Sequence, residues 1–211
     1  MVDIFQSQEM CNTYIVFNEN KEGFLVDPGY NGKNALINHI HKIGVTIKGI
    51  LITHGHYDHI TALKDIVNEF PDAVTYISDD EVDVLTNPGK NLSFYTGDML
   101  TYCPEKLVKL FDNEVVEITG YLIKMIKTPF HTEGSCCYYL EKEKILFTGD
   151  TLFYSSIGRT DLPTGSARLI EKSLSKLIAL DDDIKVYPGH ECITTLGREK
   201  KYNTYLRNLY K

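Results

Sequence analysis

The densest run of metal-binding side chains in this 211-residue sequence is His54-Gly55-His56-Tyr57-Asp58-His59. With 7 histidines in the chain, an HxHxxH spacing would arise by chance about 0.008 times, so the run calls for a chemical reason. It follows an apolar segment, Lys48–Thr53, that reads as a strand. In an extended chain residues i and i+2 share a side, so His54 and His56 aim their imidazoles together; in a helix they would diverge by ~200°. Asp58 and His59 turn back at the start of a helix and offer an oxygen and a third nitrogen to a neighbouring position. Such a donor set suits zinc, iron or manganese.

Three other segments repeat the order of apolar strand, turn-making residue and potential ligand. They are LIKMIKTPF before His131, ILFTG before Asp150 and DIKVYPG before His190. Every candidate falls just past the C-terminal end of a predicted strand. In sheets covered by helices, sites collect along that edge, so segments remote in sequence can converge there. Seven donors exceed the three protein ligands and one open position usual for a catalytic metal. Two divalent ions sharing a carboxylate fit the count, with zinc preferred and iron or manganese able to use the same donors. Other candidates have simpler readings. His39 shares a helical face with Leu36 and Ile43, His41 reads as solvated, and the adjacent Cys136 and Cys137 read as structural. Asp27 either orients a ligand or caps the Asp27-Pro28-Gly29 turn. Arg159 and Asp161 form either an exposed turn pair or part of a substrate site.

The elements that must position these residues follow from periodicity and turn chemistry. Strands are predicted at Tyr14–Phe17, Phe24–Val26, Lys48–Thr53, Val115–Ile118, Tyr121–Lys127, Cys136–Leu140, Ile145–Thr148 and Ile184–Tyr187. Helices are predicted from about Lys33 to Ile43, stopped by Gly44; through Ile60, Leu63, Val67 and Phe70; over Ser166–Leu180; and after Thr195 as N-cap. The stretch from Pro88 to about Phe111 reads as an irregular loop or lid. Strands followed by helices in both halves imply a mixed α/β sandwich in one domain, residues 1–211.

Composition sets outer bounds. Hydrophobic residues at 43% and charged residues at 24% describe a globular chain able to build its own core. A net charge of −7 disfavours nucleic acid as a partner. No apolar run is long enough for a membrane span, and the N-terminus lacks a secretory pattern, so a cytoplasmic location is expected. Five cysteines without a CxxC pair argue for free thiols.

Taken with HTEGS at 131–135, GDTLF at 149–153, GRTD at 158–161 and PGH at 188–190 followed by TTLGRE, the HGHYDH run resembles the metallo-β-lactamase superfamily, specifically its single-domain branch similar to glyoxalase II (hydroxyacylglutathione hydrolase). The resemblance spans nearly the whole chain. It implies a four-layer αβ/βα sandwich with the metals at one edge: His54, His56 and His131 on one, Asp58, His59 and His190 on the other, and Asp150 as bridge. It further implies hydrolysis of a small thioester such as S-lactoylglutathione by a hydroxide held between the metals, with Asp58 catalytic as well as a ligand. Two departures stand out. The family's GHTPGS is Phe130-His131-Thr132-Glu133-Gly134-Ser135 here, and the loop after GDTLF reads SSIGRTDLPTG rather than GxGKFYEG, so Arg159 takes the place of a Lys as the cation for a substrate carboxylate. No helical glutathione-binding C-terminal domain is expected. The nearest rival within the fold is a persulfide dioxygenase, which would use one iron on the counterparts of His54, His131 and Asp150. A lactonase or β-lactamase is a third reading, and seven intact ligands argue against a non-enzymatic binding module.

Overall fold

A computed structural model describes residues 1–5, 11–29 and 34–209. Lys33, the expected start of the first helix, lies outside the described residues. Hydrophobic side chains on both faces of the central strands explain the architecture. In β2 (Thr13–Phe17) and β3 (Glu22–Val26), Tyr14, Val16, Phe24 and Val26 point one way, and Ile15, Phe17 and Leu25 the other; all are buried. A strand apolar on both faces must be covered twice.

The first sheet has the order β1 (Val2–Phe5), β2, β3, β4 (Thr46–Ile52), β5 (Val74–Ser78) and β6 (Leu107–Leu110). From β3 to β6 the pairing is parallel; β1 to β3 are antiparallel. Its outer face is covered by α1 (Ala35–Ile43) and α3 (Leu63–Glu69), through Leu36, Ile40, Leu63 and Ile66. Gly44 ends α1 in the left-handed conformation (φ 70), as its placement predicts. Between them, α2 (Tyr57–Ile60) is a single turn, so the expected helix through Phe70 is two short ones. Two more short helices, α4 (Val82–Thr86) and α5 (Ser93–Thr96), precede β6.

The second sheet runs β14 (Thr194–Thr195), β13 (Lys185–Pro188), β10 (Ile145–Gly149), β9 (Cys136–Leu140), β8 (Tyr121–Lys127), β7 (Val115–Ile118). Only β10 and β13 pair in parallel. A small hairpin, β11 (Leu152–Phe153) and β12 (Ser156–Ile157), follows β10. Leu174 and Leu177 of α6 (Ile170–Ile178), Leu196 of α7 (Leu196–Tyr202) and Leu206 of α8 (Thr204–Leu209) pack on its outer face. Thr195 caps α7, its hydroxyl accepting from Arg198 N at 3.3 Å. The inner faces meet in a third cluster, Tyr14, Phe24 and Leu51 against Met125, Tyr138 and Phe147.

Helix, sheet, sheet, helix is the four-layer sandwich expected. Six strands were not expected: β1, β5 and the two-residue β11, β12 and β14 altogether, and β6, which lies inside the stretch read as an irregular lid. The physical reason is the same for β1 and β6. They are four-residue edge strands of mixed polarity, and their extended form comes from pairing with β2 and β5 rather than from their own pattern. Among the described residues, no helix is long and apolar enough to cross a membrane.

Candidate metal centre

Six segments leave the C-terminal ends of strands at one edge of the sandwich, and all the expected donors stand on four of them. β4 is clamped between the two apolar layers, so its end is rigid, and Thr53 and His54 continue it. Thr53 donates from N to Asp27 Oδ1 at 2.8 Å and from Oγ1 to Asp27 Oδ2 at 2.6 Å. Asp27, the first residue after β3, also lies with Oδ2 3.0 Å from His59 Nδ1. A carboxylate accepts, so Nδ1 of His59 carries a proton and Nε2 faces the site. Asp27 therefore orients a ligand, besides forming the turn in which Gly29 N donates to its carbonyl at 2.8 Å.

His56 is extended (φ −63, ψ 148) and α2 begins after it, which puts Asp58 and His59 in the first turn. His131 arrives from β8, and its Nδ1 lies 2.8 Å from the carbonyl oxygen of Arg159, leaving Nε2 to point 2.9 Å from His56 Nδ1. Asp150 follows β10. Its Oδ2 lies 3.4 Å from His131 Nε2, while its Oδ1 lies 3.3 Å from His59 Nε2 and 3.6 Å from His190 Nε2. His190, after β13, sits 3.1 Å from Asp58 Oδ2. Space for this convergence depends on Gly189, where a Cβ would fall 2.5 Å from Asp150 Oδ1 and 2.7 Å from His59 Cε1.

Among the described residues, three overlapping groups have donor atoms within 4.8 Å of one another: His54, His56 and His131; Asp58, His59 and His190; and His54, His59 and Asp150. The seven expected donors are thus brought together, with one oxygen of Asp150 turned toward each side. Among the described residues, His54 Nε2, His56 Nε2 and Asp150 Oδ1 are buried and make no hydrogen bond. An orphaned buried polar atom costs ~1–3 kcal/mol, and bound cations would satisfy such atoms. The residues present therefore fit a metal.

The charges differ across the cluster. Burial holds His54 well below the usual imidazole pKa and pushes His56 down to about 3. Burial also opposes a charge on His59, but Cys11, Asp58, Asp27 and Asp150 outweigh it and raise its pKa. At His190 the same opposition is overcome by the hydrogen bond to Asp58 and the charge of Asp150. Burial disfavours ionised Asp58 and Asp150, yet the neighbouring imidazoles, His59 foremost, hold both below the usual carboxylate range.

Outside the cluster, His39 pairs with Asp3 at 2.7 Å and His41 with Glu69 at 2.8 Å, both on α1. Cys136 and Cys137 are buried in the two core clusters that flank the second sheet. Phe130 is buried in the core against α6; Glu133 is exposed and lies 3.4 Å from Lys90. Arg159 is 61% exposed, and its guanidinium grips Asp161 through Nε at 2.6 Å and Nη2 at 2.7 Å. Its carbonyl, rather than its charge, touches the cluster, through His131. The 88–111 stretch reaches the cluster through Asn91, whose carbonyl accepts from Tyr57 N at 2.8 Å. The residue missed by sequence reasoning is Glu81, on the sixth strand end, which nothing in the local run Asp79-Asp80-Glu81 distinguishes from a solvated acidic turn.

A family model described as the metallo-beta-lactamase superfamily matches residues 7–190. The hydroxyacylglutathione hydrolase GloC of Haemophilus influenzae is 29% identical, over 99% of this chain and 97% of its own. Among solved structures, the B3 metallo-beta-lactamase BLEG-1 matches with a TM-score of 0.89 at 34% identity, covering 98% of this chain and 99% of that one. A protein crystallised in a di-iron-bound form matches with a TM-score of 0.81 at 27% identity, covering 95% and 98%.

Proposed function

The chain belongs to the metallo-beta-lactamase superfamily, and from that premise we propose that it is a binuclear metal-dependent thioesterase that hydrolyses a small thioester of the hydroxyacylglutathione class. The observation that carries the metal part of this reading is the pair of triads, one buried and one partly exposed, with Asp150 between them and three buried ligand atoms without a hydrogen bond. The substrate class is supported by the full-length likeness to the Haemophilus hydrolase and by the chemistry of the leaving group.

His54, His56 and His131 would hold one ion, Asp58, His59 and His190 the other, and Asp150 both. Bound there, divalent ions such as zinc, iron or manganese would bring the pKa of water to near 7 and polarise a carbonyl. The side chains do the rest. Asp27 fixes the ring of His59, and the carbonyl of Arg159 fixes that of His131, so both nitrogens are aimed before a ligand arrives. Asp58 is kept ionised by His59 and His190, and its Oδ2 is the base that takes the proton of the attacking water. A thiolate leaves without a strong acid, and no protonated carboxyl stands in the cluster to supply one. Arg159 at the rim is the cation for a substrate carboxylate, a role in which it exchanges or shares Asp161.

A panel of thioester, lactone, β-lactam and persulfide substrates tests this reading. S-lactoylglutathione turnover well above that of the lactone and β-lactam is expected. Oxygen uptake with a persulfide, without thioester turnover, would replace the hydrolase by the oxidative reading.

A further inference from the structure

Glu81 belongs to neither triad, and no step above uses it. It ends the single 3-10 turn Asp79–Glu81 after β5 and is 0% exposed. A carboxylate is costly to bury unless its lone pairs are met, and here both oxygens are. Oε2 accepts from Gly55 N at 2.7 Å. Oε1 accepts from Gly134 N at 2.9 Å and from the hydroxyl of Thr132. Ser135 closes the second loop on itself, its Oγ accepting from Thr132 N at 2.9 Å.

The partners explain why an acidic side chain stands there. Gly55 is the residue between His54 and His56, on the loop after β4 of the first sheet. Thr132 and Gly134 follow His131, on the loop after β8 of the second sheet. The three imidazoles of one triad therefore come from two loops on different sheets, and the two oxygens of one carboxylate face one loop each. Gly134 is shaped for this approach, since a Cβ would lie 2.8 Å from both N and Cγ of Glu81. A hydroxyl or an amide could not accept from both sides at once; a carboxylate, acceptor at each end, can.

We propose that Glu81 is the positioning residue of the all-imidazole triad, setting the separation between the His54/His56 pair and His131 by holding their two loops at either end of one carboxylate. The inference rests on the metal reading given above. It makes Glu81 a specific determinant of metal affinity at one half of the site, beyond any share it has in the stability of the fold.

The test is a zinc titration of the metal-free protein in competition with a chromogenic chelator. The wild type is expected to show two binding steps. Glu81→Gln keeps the volume but turns an NH2 group toward an N–H donor, and it is expected to weaken one step about tenfold while leaving the other within about twofold. Thr132→Val, which removes one donor, is expected to weaken the same step by a smaller factor, and it decides the matter if Glu81→Gln does not fold. Leu177→Ala, a core deletion beneath α6, provides a destabilised control and is expected to leave both steps in place. Unchanged steps in Glu81→Gln, or in Thr132→Val where it decides, would overturn the proposal, as would an equal loss in Leu177→Ala. A wild type that takes up one zinc contradicts the two-metal reading instead, and the response of that one step to Glu81→Gln still tests Glu81.

Discussion

His54, His56 and His131 present three imidazoles inside the protein, none more than 3% exposed. The group Asp58, His59 and His190 mixes a carboxylate with two imidazoles, and the side chain of His190 is 34% exposed. Burial without a nearby carboxylate in its own trio keeps His54 and His56 neutral, so these two imidazoles meet a cation with free lone pairs and no proton to displace. In the second half, Cys11, Asp58, Asp27 and Asp150 raise the pKa of His59, and Asp58 and Asp150 that of His190, so a cation must expel the protons they hold. The difference teaches that the same ligand type is prepared in two ways within a few ångströms. One half is set by desolvation, and the other by charge that the cation itself would replace.

The sharpest way to break the comparison is to remove what the halves share. Asp150→Ala is expected to abolish retention of both metals after gel filtration and to remove thioesterase activity, because each of its oxygens faces one half. His190→Ala is expected to cost chiefly one metal. Equal retention by the two variants would show that Asp150 is no bridge.

A smaller effect is expected where only orientation is lost. Asp27→Asn keeps an oxygen for Thr53 N but places an amide against His59 Nδ1 or Thr53 Oγ1. Affinity at the second half is expected to fall about 10- to 100-fold, as is typical when the partner of a metal-binding histidine is lost. Chelator competition measures this, and an equal loss at the first half would mean that Asp27 acts through β4 rather than through His59.

Acidity sharpens the distinction. The pKa values of His59 and His190 are raised in the metal-free chain, so protons compete with a metal up to a higher pH there, and affinity rises with pH by about tenfold per unit for each proton displaced. His54 is held well below the usual imidazole range and His56 at about 3, so neither adds a proton to be displaced near neutrality. Titrations between about pH 8 and pH 6 are expected to empty the second half first. Loss in the opposite order would contradict the account.

The smallest effect is expected at the rim. Arg159 is exposed and already held by Asp161, and exposed ion pairs contribute little. Arg159→Ala is expected to raise KM for S-lactoylglutathione a few-fold, about 3- to 10-fold for one exposed charge-assisted contact, with kcat unchanged because the carbonyl that holds His131 remains. A fall in kcat on every substrate would assign the GRTD turn to support of His131 alone.

The sequence exposes the donors well because their pattern is local. An apolar strand, a turn and a ligand recur at β4, β8, β10 and β13, and the strand ends put those ligands on one edge. The double burial of β2 and β3, the Gly44 stop and the Thr195 cap are equally local facts. What escapes is whatever depends on a neighbour. Leu107–Leu110 is a strand only because β5 pairs with it. Asp27 could be a turn residue or an orienting one, and only the meeting of β3 with β4 decides. Glu81 looks like one more acid in a charged turn until two loops from different sheets close on it.

Metal content per chain tests the central claim most directly. Elemental analysis of purified protein, repeated after loading with zinc or manganese and removal of excess, is expected to give two ions per chain, with activity rising as the second is taken up. One tightly held iron, with full activity and no gain in metal or rate on adding zinc or manganese, would contradict it.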